Sequence, residues 1–89
     1  MVYLYILKSL KDKGYYIGIC KDLNNRIKKH NSGQVKSTKF RVPFELIYYE
    51  EYSDYSLARN REKEIKSWHG GNNFKKLVAG AVRSSNGRT

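Results

Sequence analysis

The sequence is short of acid, cysteine and proline, and it has no long apolar run. Its eight Asp and Glu stand against eighteen Lys and Arg, a formal net charge of +10 in 89 residues. That deficit of acid excludes a chain suited to basic partners and favours one that meets a polyanion, of which nucleic acid is the commonest. A single cysteine, Cys20, excludes an intrachain disulfide and any metal cluster built on thiolates. The fold must therefore hold by packing, and a reducing cytoplasm suits it. No stretch reaches the roughly 18 apolar residues of a membrane span. The first residues, MVYLYILKS, have an apolar run with no charged region ahead of it, so they read as a first strand and not as a secretory signal. The length allows one small domain.

What remains is 39% hydrophobic and rich in tyrosine, enough for a modest core. VYLYIL (2–7) and YYIGIC (15–20) are dense in β-branched and aromatic residues and read as two strands joined by a short polar turn, an antiparallel hairpin with Gly14 placed to take a positive φ. Both look apolar on both faces, which predicts a sheet covered on each side. Asp22 can cap a helix over 23–31, with Leu23, Ile27 and His30 at helical spacing, Arg26 flanking that stripe and Gly33 ending it. QVKSTKFRVPF (34–44) is a basic loop. ELIYYEEY (45–52) reads as a third strand. Ser53 or Asp54 can cap a second helix to about Trp68, with Leu57, Ile65 and Trp68 on one face and Ala58 and Glu62 at its border. FKKLVAGAV reads as a short third helix. The expected fold is a small α/β domain over 1–78, a mainly antiparallel three-stranded sheet flanked by helices in the order β-β-α-β-α-α, with a disordered tail over 79–89.

The chain carries no nucleophile elbow, no phosphate-binding glycine loop and no Cys/His cluster. It does carry tyrosines near the ends of two paired strands, a helix with an arginine and a histidine, and a helical glutamate. Phosphodiester cleavage needs a base for water, a cation for the developing charge and often a divalent Lewis acid, and these residue types can supply them. Residue by residue, plainer readings stay open. Tyr5 and Tyr16 fit ordinary hairpin packing, Arg26 a solvated helix position, His30 an apolar helix edge, and Glu62 an i,i+4 pair with Lys66. Lys36, Lys39 and Arg41 in the loop suit contacts along a phosphate backbone. Tyr48, Tyr49, Tyr52 and Tyr55 offer stacking surfaces or strand packing.

Taken together, VYLYILKS…KGYYIGIC, DLNNRIKKHNSG and SLARNREKEIKSW resemble the GIY-YIG endonuclease superfamily over residues 2–68. The likeness is to its small stand-alone bacterial group and to the N-terminal domain of the excision-repair nuclease. Tyr3-Leu4-Tyr5 departs from the first motif, with Tyr3 where Gly would stand and Leu4 for Ile. Tyr16-Ile17-Gly18 keeps the second intact. The resemblance implies a metal-dependent endonuclease or nickase on DNA, of low sequence specificity or structure-specific, in repair or recombination. It assigns Tyr5 as the base assisted by Tyr16, Arg26 as the phosphate clamp, His30 as support and Glu62 as the ligand of one Mg²⁺ or Mn²⁺. Gly18 permits close approach, and Lys36, Lys39 and Arg41 hold the backbone. The alternative is a non-catalytic nucleic-acid-binding module of the same fold. Either is expected to work in the cytoplasm, as a monomer or weak homodimer.

Overall fold

The fold, taken from a computed structural model, is described over residues 1–87, with the side chains of 80–87 left aside. Of the tail expected over 79–89, residues 88–89 lie outside the described residues, and the backbone before them belongs to a last helix that runs to Gly87. Three strands, β1 (Val2–Ser9), β2 (Tyr15–Cys20) and β3 (Phe44–Tyr52), form an antiparallel sheet in the order β2-β1-β3. Three helices, α1 (Leu23–Asn31), α2 (Tyr55–Lys66) and α3 (Asn72–Gly87), complete the expected β-β-α-β-α-α order. A 3₁₀ turn at Lys39–Arg41 lies between α1 and β3.

The central strand explains the layering. Leu4, Tyr5, Ile6 and Leu7 are all fully buried. Strand side chains alternate, so such a run must be covered on both faces. Leu4 and Ile6 pack with Ile65 of α2 and Phe74 of α3. Tyr5 and Leu7 face the other way, into a cluster with Cys20, Phe44 and the Leu23 and Ile27 side chains of α1. The sheet is thus the middle layer, with α1 on one side and α2 and α3 on the other. A register shift between Ile6 and Leu7 leaves an extra residue on β3.

Local chemistry fixes the ends. Asp22 accepts a hydrogen bond from the Asn25 amide and Asp54 one from the Leu57 amide, each satisfying an orphan donor of a helix's first turn. Gly33 follows α1 at φ +80°, the left-handed position a glycine adopts without strain. The hairpin turn departs from expectation. Lys13, not Gly14, takes the positive φ, at 65°. The Ser9 hydroxyl accepts from the Lys11 and Asp12 amides, and Asp12 accepts from the Gly14 amide, so side-chain acceptors shape the turn in place of glycine's freedom.

Helix α2 also differs. Its sheet-facing line is Ala58 and Ile65, both essentially buried, while Leu57 is 48% exposed. At 3.6 residues per turn Ala58 and Ile65 lie about 20° apart, with Leu57 about 100° away from Ala58. The small Ala58 lets the helix approach the sheet, and that rotation sets the position of its borders.

Candidate active site

Tyr5 is the centre of the site. It projects from the middle strand toward α1, and its neighbours are set by register and helical pitch. Gly18 lies directly across the β1–β2 ladder from it. A Cβ built on Gly18 would stand 2.6 Å from the Tyr5 hydroxyl, 2.8 Å from its Cζ and 3.1 Å from Tyr16 Cε2. The two phenols therefore occupy the space that a side chain at 18 would fill. The close approach expected at Gly18 is made by Tyr5 itself. Gly18→Ala should displace the phenol and destabilise the fold by about 1–3 kcal/mol through overpacking, read as a lowered denaturation midpoint with unchanged m-value. An unaltered midpoint would show that the strands part without strain.

Helix α1 supplies the polar partners. Leu23 and Ile27 anchor its apolar side. Arg26 and His30, one turn apart, then both reach the Tyr5 hydroxyl, with His30 Nε2 at 3.0 Å and Arg26 Nε at 3.4 Å. His30 is wholly buried. Its Nδ1 lies 2.8 Å from the hydroxyl of Thr38, which itself donates to the Val35 carbonyl. With the Thr38 proton turned to Val35, Thr38 accepts from Nδ1–H and the Nε2 lone pair accepts from Tyr5, the arrangement in which all three contacts are satisfied. The Tyr16 ring completes the group, with centroids 6.2 Å from Tyr5 and 4.9 Å from His30.

Burial dominates the protonation states. It pushes the Tyr5 phenol up to about 12, against the opposing hydrogen bond from Arg26, so the resting phenol holds its proton. It pushes His30 below its ordinary 6.5, helped by the charge of Arg26, so the imidazole is neutral and free to accept. The bond to Tyr5 holds Arg26 more firmly charged still. Cys20, raised by burial, is an inert thiol. A histidine whose folded value lies below its unfolded value stabilises the fold above about 6.5. It loses that contribution as pH falls toward the folded value. Thermal melts should show Tm dropping as pH falls from 7 toward 5, with a flatter dependence in His30→Gln; parallel slopes would contradict a buried neutral imidazole.

The remaining candidates are spread more widely. Lys36 and Lys39 are exposed on either side of buried Thr38, so the Thr38–His30 bond ties their loop to the site. Arg41 is engaged elsewhere. Its guanidinium binds Asp12 at 2.7 Å and lies over the Phe44 ring, and the bond pulls Asp12 down to about 2. Glu62 sits on α2, across the sheet from the Tyr5 hydroxyl, and pairs with Lys66 at 3.0 Å, the i,i+4 contact its spacing allows. Its side chain is 18% exposed. Arg61, the residue before it, reaches Glu50 on β3 through Nε and Nη2. Glu62 lies about 100° further round the helix. It therefore borders α2 on the side of β2, the edge strand that carries Tyr16 and Gly18. Among the described residues no three or more His, Cys, Asp or Glu gather to hold a metal.

Two features escaped the sequence reading. Thr38 is an ordinary loop threonine until the chain folds back on His30. Glu50 is one acid in a run of polar strand residues. In the fold it accepts from both the Tyr48 and Tyr52 hydroxyls and from Arg61, whose guanidinium also covers Trp68. That network locks the rotation of α2. Tyr48 and Tyr52 themselves pack partly buried against the core, the strand packing their sequence position allows.

This geometry has counterparts. A family model for the GIY-YIG catalytic domain matches residues 1–76. The chain belongs to the GIY-YIG family. The GIY-YIG domain is that of nucleases, hydrolases of nucleic acid, which generally use divalent metal ions. UPF0213 proteins of Staphylococcus saprophyticus and Staphylococcus epidermidis are 48% and 46% identical over 67 residues, covering 74% of this chain and 80% of each relative. The solution NMR structure of a UPF0213 protein from Bacillus halodurans matches over the full length of both chains, at 31% identity and a TM-score of 0.52. These relatives form a small stand-alone GIY-YIG group. No helix among the described residues of this GIY-YIG chain is long and apolar enough to cross a membrane.

Proposed function

We propose that this chain is a metal-dependent endonuclease or nickase acting on DNA, with low sequence specificity or specificity for structure, serving repair or recombination in the cytoplasm as a monomer or weak homodimer. The observation that carries this reading is one oxygen, the Tyr5 hydroxyl, shared by a neutral imidazole at 3.0 Å and a guanidinium at 3.4 Å.

A phenol raised to about 12 is a poor base when it must first ionise. The His30 contact removes that demand. As Tyr5 accepts a proton from the attacking water, its own passes to His30 Nε2, and a free phenolate need never accumulate. Thr38 holds the imidazole in the tautomer that can receive it. Arg26 stays charged throughout, and its long contact to Tyr5 is readily given up for a phosphate oxygen, which uncovers the buried hydroxyl. Tyr16, half-buried beside both rings, orders the water. Lys36 and Lys39 hold the backbone alongside. Arg41, bound to Asp12, serves the loop's shape first.

Glu62 would hold a divalent ion by one carboxylate from the opposite face of the sheet, so the ion would have to meet the phosphate round the β2 edge, with waters and phosphate oxygens completing its shell. When bound it supplies Lewis-acid stabilisation of the phosphoryl charge. Glu62 would be drawn for that role from Lys66, whose ammonium end is the exposed half of the pair.

One observation favours the rival reading of a non-catalytic binding module: Tyr5 is wholly buried at rest. A plasmid-nicking assay separates the two. With Mn²⁺ or Mg²⁺ the purified protein should nick DNA, EDTA should stop it, and Glu62→Ala should abolish it while DNA binding survives. Binding without nicking under every metal condition would leave only the module.

A further inference from the structure

A second concavity opens on the Tyr5 face of the sheet, toward β3. It measures about 500 Å³, within the roughly 300–1,000 Å³ of small-ligand sites. Tyr3, Tyr49 and Glu51 line it from the sheet, and Lys21, Asp22 and Leu23 from the start of α1. Tyr3 and Tyr49 meet edge to face, with centroids 6.0 Å apart. Tyr49 is 49% exposed, which leaves about half of its surface open to the concavity and solvent.

We propose that this concavity is a subsite for one unpaired nucleobase of the bound strand, next to the phosphate held at Arg26. Three observations converge on a base. The walls are aromatic and wet at once, offering a π-surface on which any base can stack. Two carboxylates stand here, Glu51 and Asp22, the latter with one oxygen on the Asn25 amide, while the Lys21 ammonium is drawn over the Tyr55 ring, a balance that repels a phosphate but accepts hydrogen bonds from the N–H edge of a base. The placement is also right. Tyr3 and Tyr5 are alternate residues on one face of β1, about 6.6 Å apart along the strand, close to one step of an extended nucleotide chain. A phosphate at the Tyr5–Arg26 end then sets its neighbouring base over Tyr3 and Tyr49. A duplex, whose bases are stacked and paired, cannot make this contact without flipping one out.

The inference rests on the site being one for nucleic acid, and not on cleavage, and the test keeps the two apart. Binding is measured by fluorescence anisotropy in EDTA, so that no cleavage occurs, using a short oligodeoxycytidine strand and an abasic strand of equal length. Phosphate contacts are the same in both. The base-bearing strand should bind about tenfold tighter, the effect of a single stacked base. Tyr49→Ala should remove most of that difference, Tyr49→Phe should keep it, and Glu51→Gln should reduce it. Tyr49 is exposed, so Tyr49→Ala is expected to fold, which circular dichroism checks. Equal binding of the two strands, or a preference untouched by Tyr49→Ala, overturns the subsite. A base preference that behaves as expected in a protein that never nicks DNA upholds it while removing the nuclease reading.

Discussion

Tyr5→Phe should lower metal-dependent nicking by about 10²–10⁴-fold, the usual contribution of a positioned acid–base group. DNA binding should hardly change, because Arg26 and the loop lysines remain. The substitution deletes one oxygen and leaves the ring, so the packing against Gly18 and His30 persists. It also strands the buried His30 Nε2, which costs about 1–3 kcal/mol when an acceptor loses its partner. Thermal melts therefore belong beside the kinetics, with rates compared well below either transition. Tyr16→Phe supplies the contrast. If it is inactive while Tyr5→Phe cleaves normally, the outer phenol is the base and Tyr5 only carries His30. The resting geometry favours the inner phenol because it alone holds the imidazole at hydrogen-bond distance.

Arg26→Gln should be nearly as damaging, about 10²–10³-fold in rate, the scale of removing one donor aimed at developing negative charge. Here, unlike Tyr5→Phe, binding should weaken too. The slope of log affinity against log salt should lose close to one phosphate contact, about 0.9 for duplex DNA. Stability should move little, since Arg26 is part-exposed and its bond to Tyr5 is long, 3.4 Å. Arg26→Lys should recover only part of the rate, a point charge being unable to span two oxygens. A separate consequence concerns His30. The charge of Arg26 helps hold the imidazole below 6.5. Its removal should let that value rise, so any residual activity should fail at a higher pH on the acid side. A full rate in Arg26→Gln with an unchanged salt slope would place the phosphate elsewhere.

Much of this was legible along the chain, for reasons that differ by element. The strands VYLYIL and YYIGIC announced themselves by composition, and their apolar residues on both faces required a covered sheet, which α1 and α2 provide. Asp22, Asp54 and Gly33 could be read as helix boundaries because capping is a local affair of a few residues. Arg26 and His30, one turn apart, were bound to share a helix face. Where side chains rather than patterns decide, the reading failed. Lys13 took the turn conformation assigned to Gly14 because Ser9 and Asp12 supplied the acceptors. Leu57 was left outside because Ala58 is the residue small enough to touch the sheet.

The sequence by itself determined the elements, their order, the charge and the family of the chain, since composition, periodicity and motif spacing are properties of neighbours. Only the tertiary structure decided that Thr38 meets the His30 imidazole, that Gly18 is a glycine because Tyr5 fills its place, and that Glu50 reaches α2 through Arg61. Each is a contact between residues distant along the chain, and hydrogen-bond geometry and excluded volume act through space, where sequence spacing carries no signal.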